Sequence, residues 1–158
     1  MISRKPRRAI LPHTITLWCW TGKERVRNGA KKKTYNKYYV KYCRYDETNA
    51  LAGTVNLGNL YFEIYNGVSV VTNALNGAVC EHAAPDVYLT ASADRQKELF
   101  TLNMGDDFAG LGMIEGGFAD NGDISAGGER RRKDYLINTV DAKYGAGGVI
   151  HHWEVYCK

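Results

Sequence analysis

His13, His82, His151 and His152, with Cys19, Cys43, Cys80 and Cys157, are the side chains best suited to metal ligation or nucleophilic attack. Their spacing supports neither. Zinc and redox sites draw on close pairs such as Cys-x-x-Cys, and these cysteines stand far apart. Neighbours on a strand point to opposite faces, so His151 and His152 are not expected to ligate one ion. The Asp106-Asp107 and Asp120/Asp123 pairs lack a calcium-loop register, and the glycines of 110–128 form no dinucleotide or phosphate-loop fingerprint. There is no Gly-x-Ser-x-Gly elbow and no Cys–His pairing signal. The expectation is therefore no enzyme, no metal and no cofactor, with the cysteines as reduced, buried thiols.

Charge is the chemistry that remains. Residues 1–44 hold 13 of the 21 Lys and Arg against one acid, Glu24, a net of about +12; the remainder holds 8 basic and 16 acidic residues, about −8. The formal +4 thus conceals a bipolar chain, whose front faces a polyanion or meets the acidic part of another copy. Lys23, Arg25, Arg27, Lys31, Lys32 and Lys33 cluster on one segment, and Arg130, Arg131 and Arg132 form a second run. Three readings stay open for them: sequence-independent attraction to phosphate, docking on an acidic neighbour, or a solvated loop.

Two aromatic groups also have two readings each. Tyr35, Tyr38, Tyr39, Tyr42 and Tyr45, interleaved with Lys37, Lys41 and Arg44, resemble the stacking platform of a single-stranded nucleic-acid-binding barrel. Strand alternation would instead bury half of those rings. Trp18 and Trp20 fall on one face of a strand, as interface anchors or as core.

The elements that position these groups are strands. Residues 14–20 (TITLWCW) alternate Ile15, Leu17 and Cys19 against Thr14, Thr16, Trp18 and Trp20, with both faces substantially apolar. Residues 21–33 read as an exposed loop. Residues 35–45 read as a second strand, with Tyr38, Val40 and Tyr42 inward and Lys37, Tyr39, Lys41 and Cys43 outward. Asn66-Gly67 between β-formers predicts a tight type I′ hairpin over 60–73, and Asn76-Gly77 marks another turn. Ser92 is the one plausible helix N-cap. Residues 100–104, 108–114, 135–141 and 151–157 supply further strands, and the glycine-rich 115–128 is a loop.

Many short strands with at most one short helix predict an all-β fold: a small antiparallel β-barrel or sandwich with long loops. The expected organisation is a flexible basic arm over 1–11 and a single β-barrel domain over 12–158. No apolar run approaches the roughly 20 residues that span a bilayer, and the opening is too short for a signal-peptide core. A soluble cytoplasmic product, with no membrane partner, is expected.

Phe100-Thr101-Leu102, Gly105-Asp106, Gly110, Ile137, Val140-Asp141, Tyr144-Gly145, His152-Trp153-Glu154-Val155 and Lys158 form a pattern similar to small structural proteins of Gram-positive siphophages and prophages. The strand His13-Thr14-Ile15-Thr16-Leu17 is similar to their start. The likeness covers about the last 60 residues and, weakly, the first 20. It implies a neck protein of the head-to-tail connector, of the head-closure (stopper) type, made in the bacterial host cytoplasm and residing in the virion. The implied partners are a homo-oligomeric ring of six or twelve copies, portal or adaptor and tail proteins, and double-stranded DNA in the lumen. A tail-completion or tail-terminator protein of the same neck is the alternative. Arg4, Arg7, Arg8, Trp18, Trp20 and Tyr39 are then subunit-interface candidates. The long basic front and the glycine-rich loop depart from that family's pattern.

Overall fold

The computed structural model describes residues 4–48, 51–52, 55–56, 59–115 and 134–158. In chain order the strands are β1 (His13–Arg27), β2 (Ala30–Thr48), β3 (Leu51–Ala52), β4 (Val55–Asn56), β5 (Asn59–Tyr65) and β6 (Val70–Asn73), followed by β7 (Glu81–His82), β8 (Leu99–Phe100), β9 (Phe108–Leu111), β10 (Tyr135–Tyr144) and β11 (Ile150–Cys157). The helices are α1 (Pro85–Thr90) and α2 (Ala93–Gln96). Antiparallel pairing runs β1-β9-β10-β11-β5-β2 and returns from β2 to β1, so six strands close a circuit; β6 adds to β2. This is the all-β antiparallel class that the strand pattern predicts. Among the described residues no helix is long and apolar enough to cross a membrane.

Where one short helix at most is expected, there are two. Ser92 caps α2 as predicted, its Oγ accepting from the Arg95 N–H at 3.2 Å. The second, α1, starts at Pro85, whose missing N–H is harmless in a first turn. It has no side-chain cap, and that is why its start carries no sequence signal.

Ile15, Leu17, Cys19, Tyr38, Val40, Phe62, Ile137 and Val155 are fully buried and form the centre of the core. The second apolar face of β1 is covered too. Thr16 Oγ1 donates to the Gly112 carbonyl at 2.7 Å and accepts from the Ile114 N–H at 2.9 Å, which lays residues 110–114 across it. Gly110 makes that approach possible: a Cβ there would meet Ile114 Cδ1 at 2.5 Å and Trp18 Cζ3 at 3.2 Å. All four cysteines are unpaired and buried.

Three strand readings are corrected. The segment 21–33 is no loop but the distal part of the β1–β2 hairpin, with Glu24, Arg25, Val26 and Arg27 opposite Lys33, Lys32, Lys31 and Ala30. Asn28 and Gly29, at φ 51° and 78°, supply the turn. Tyr42 takes φ 57°, and one extra residue bulges out of β2 there. The alternation slips by one, so Cys43 is buried and Tyr42 is exposed, the reverse of the simple period. Asn66-Gly67 turns tightly but makes no hairpin. β5 pairs residues 44–48 of β2 and β6 pairs residues 38–41, each antiparallel to it, so the turn joins two strands lying along one partner. Ser69 Oγ, donating to the Tyr42 carbonyl at 2.6 Å, pins that turn to the bulge.

The predicted arm ends on the body. Arg8–Ile10 form a 3-10 turn, Leu11 is buried, Arg8 Nε donates to the Val68 carbonyl at 3.1 Å, and its guanidinium lies 4.7 Å from the Tyr42 ring centroid.

Candidate nucleic-acid interface

The basic segment is held up as a ribbon. β9 pairs β1 only over Ile15–Trp18, and β6 pairs β2 only over Tyr38–Lys41, so the last four hairpin pairs extend with no third strand among the described residues. Four residues at about 3.3 Å each make roughly 13 Å of free ribbon. Its base is braced by α1: Gly22, at φ +83°, sits where a Cβ would meet Leu89 Cδ2 at 3.1 Å.

Cross-strand partners share a face, which separates the cations into two sets. Arg25 and Lys32 lie directly opposite each other on one face. Lys31 and Lys33 lie on the other, opposite Val26 and Glu24. Lys33 is engaged by its own body, with Asp106 Oδ1 at 3.0 Å and the Trp20 ring centroid at 4.5 Å. Lys23, Arg25 and Lys31 are exposed and Lys32 is half-buried. Arg27 is the last residue of β1, in register with Ala30. Like charges placed directly opposite are destabilising, so the Arg25/Lys32 pair works against folding. A polyanion laid on that face would reverse the sign of its contribution.

Several predicted residues fall elsewhere. Arg130, Arg131 and Arg132 lie outside the described residues, as does residue 116 onward of the glycine-rich loop. Trp18 is 1% exposed, so it is core and not an interface anchor; residues 110–114 cover it. Trp20 is half-buried, its indole N–H donating to the Lys23 carbonyl at 3.2 Å. Tyr39 and Lys37 both donate to the Ile114 carbonyl, at 3.1 and 2.9 Å. Arg4 and Arg7 are exposed near the anchored Arg8.

The tyrosine platform does not assemble. Tyr38 is fully buried, its hydroxyl donating to the Gln96 carbonyl at 2.8 Å. Tyr35 meets Phe108 edge-on at 6.0 Å, and Tyr45 packs 4.1 Å from the His13 ring. Of the five rings only Tyr42 is exposed, and Arg8 lies over it.

Two titratable groups lining one cleft are held neutral. A cleft of ≈ 550 Å³ is lined by Cys80, His82, Phe100 and Trp153 among others. Burial pushes the Cys80 thiol up to about 11 and the His82 imidazole down to about 4. Neither is charged at neutral pH, so the cleft holds no activated thiolate or imidazolium. His151 and His152 keep to opposite faces of the strand, one buried and one half-buried, yet their rings meet, Nδ1 to Nδ1 at 2.8 Å. His152 then turns to Glu154 Oε2 at 3.0 Å. Among the described residues no group of three or more His, Cys, Asp or Glu is placed to hold a metal ion.

Sequence reasoning missed the outer face of β5 and β11. There Tyr61, Glu63 and Tyr65 stand in register with Tyr156, Glu154 and His152. Period-two alternation of aromatic and acid in YFEIY and HWEVY carries that signal. No protein-family model, no curated protein and no solved structure matches the chain.

Proposed function

We propose that this chain is a non-enzymatic structural subunit of the head-to-tail connector of a tailed phage, of the head-closure (stopper) type. Made in the bacterial host cytoplasm, it forms a ring in the virion neck between portal or adaptor and tail, with double-stranded DNA in the lumen. The observation that carries this reading is the braced β-ribbon with Arg25 and Lys32 set side by side on one face. Such a pair costs the isolated fold stability and repays it against an anion such as phosphate. Repetition of the pair around a ring sums many weak contacts on one duplex, without regard to base sequence. A two-stranded ribbon also has the width that a duplex groove admits. The resemblance of the C-terminal strands to siphophage neck proteins supports the same assignment.

The rival reading, a single-strand binder stacking bases on residues 35–45, loses support because those rings are packed or capped.

Titration of duplex DNA with salt tests the proposal. Binding is expected to be indifferent to sequence and to weaken with salt at about 0.9 logarithmic units per phosphate neutralised, roughly 3 for Lys23, Arg25 and Lys32 in one subunit. Preference for single strands over duplex, or no binding at low salt, would overturn it.

A further inference from the structure

The hairpin's other face carries a second pattern. Val26, 66% exposed, lies opposite Lys31. An exposed aliphatic beside a lone cation suits a protein surface better than phosphate. No acid among the described residues pairs with Lys31.

A complementary surface lies at the far end of the same strand. Rows of residues on the outer face of β10, β11, β5 and β2 align Asp141, Glu154, Glu63 and Arg44, and beside them Thr139, Tyr156, Tyr61 and Asp46. In the first row Lys143 holds Asp141 at 2.7 Å, His152 Nε2 stands 3.0 Å from Glu154 and 3.9 Å from Glu63, and Tyr65 donates to Glu63 at 2.6 Å. In the second row Asp46 is exposed and has no cation paired with it among the described residues. Asp46, Tyr61, Tyr156, Asn138 and Lys158 line a notch of ≈ 330 Å³, with the two tyrosine rings 4.8 Å apart and Tyr156 45% exposed. Among the described residues Lys158 is the one cation at its rim. A carboxylate beside a pair of half-exposed rings is a receptor for an ammonium or guanidinium on an apolar stem.

We infer that the notch of Asp46, Tyr61 and Tyr156 receives Lys31 and Val26 of a second copy of this chain. The inference rests on the ring reading above and names the contact by which the ring closes. Lys31 and Asp46 stand fifteen residues apart on one strand, roughly 50 Å of contour. β2 is therefore the spacer that keeps them apart within a copy and offers one at each end. A surface at one pole that fits a different surface at the other is a heterologous, head-to-tail contact, the kind that generates rings. The Arg25/Lys32 face stays turned away from this contact and available to DNA.

Sedimentation equilibrium of the full chain tests it by charge exchange. Lys31→Glu and Asp46→Lys are each expected to weaken self-association at least tenfold. The double variant, which restores the pair with its signs exchanged, should recover to within about threefold of the original. Circular dichroism should be unchanged in all three, since both side chains are exposed. A wild-type chain that is monomeric throughout, single variants that associate normally, or a double variant that stays dissociated would each overturn the inference. The duplex titration separates the two proposals. Charge exchange that succeeds while DNA binding fails removes the neck assignment and leaves the contact standing; the converse removes the contact alone.

Discussion

Replacing Asp107 with asparagine is expected to convert a nearly pH-independent stability between pH 4 and 7 into one that climbs as pH rises. Buried Asp107 and half-buried His82 oppose each other across this window. Asp107 has no exposed surface; Oδ1 accepts from the Trp20 N–H and Oδ2 from the Asn103 N–H, both at 2.9 Å. Burial pushes its carboxyl from 3.8 up to about 7. The folded state then binds a proton that the unfolded chain releases, so this stability is fully present below 3.8 and lost as pH rises through 7. His82 is the mirror case. Burial lowers its imidazole from 6.5 to about 4, so its stability is fully present above 6.5 and lost as pH falls through 4. At about 1.4 kcal/mol per pKa unit, the two swings are each on the order of 3–4 kcal/mol and largely cancel. Denaturant midpoints from pH 4 to 8 should therefore be flat for the wild type. They should rise with pH for Asp107→Asn and fall for His82→Gln. Two variants tilting in the same direction would show that these groups do not set the profile.

Exchanging Arg25 and Lys32 together for glutamate is expected to lower duplex-DNA affinity at least about 100-fold at 50 mM salt and to flatten the salt slope by about 2. Two phosphate contacts vanish and two repulsions replace them. The fold should hardly notice. One like-charge cross-strand pair is exchanged for another, so the change in stability should stay within about 0.5 kcal/mol. Anisotropy of a labelled duplex, with thermal melting as the control, reads both quantities. An unchanged slope with an intact fold would mean that the phosphate-facing side of the chain lies elsewhere.

Much of the β framework was legible because burial imposes period two on the sequence. Ile15, Leu17 and Cys19, Tyr38 and Val40, and Trp153, Val155 and Cys157 all alternate inward as their spacing implies. The errors cluster where a single residue breaks that period. Nothing about a tyrosine announces φ 57°, yet Tyr42 adopts it and moves Cys43 into the core. Asn66-Gly67 has the composition of a hairpin turn, but composition cannot say which strand will be the partner, and β2 takes both flanking strands. Residues 21–33 looked like loop because cations on both faces erase the apolar alternation that marks a half-buried strand. A ribbon with solvent on each side has no core face to record.

The candidate site was legible in its residues and not in its shape. Lys23, Arg25, Lys31, Lys32 and Lys33 were identifiable by charge alone. Their division into an Arg25/Lys32 face and a Lys31/Val26 face depends on the register set by Asn28-Gly29, which a loop assignment cannot supply. Trp18 was ambiguous for a related reason. Its face of β1 is covered by residues 110–114, about ninety positions downstream, and no local pattern reports so distant a lid.

The most direct test of the neck assignment is to find the protein in a virion. Electron cryomicroscopy of the tailed particle whose genome encodes it should place six or twelve copies in one ring below the portal, with the Arg25/Lys32 faces of the hairpins turned to the DNA-filled lumen. Particles that lack the protein, or a ring whose hairpins point outward into solvent, would contradict the account.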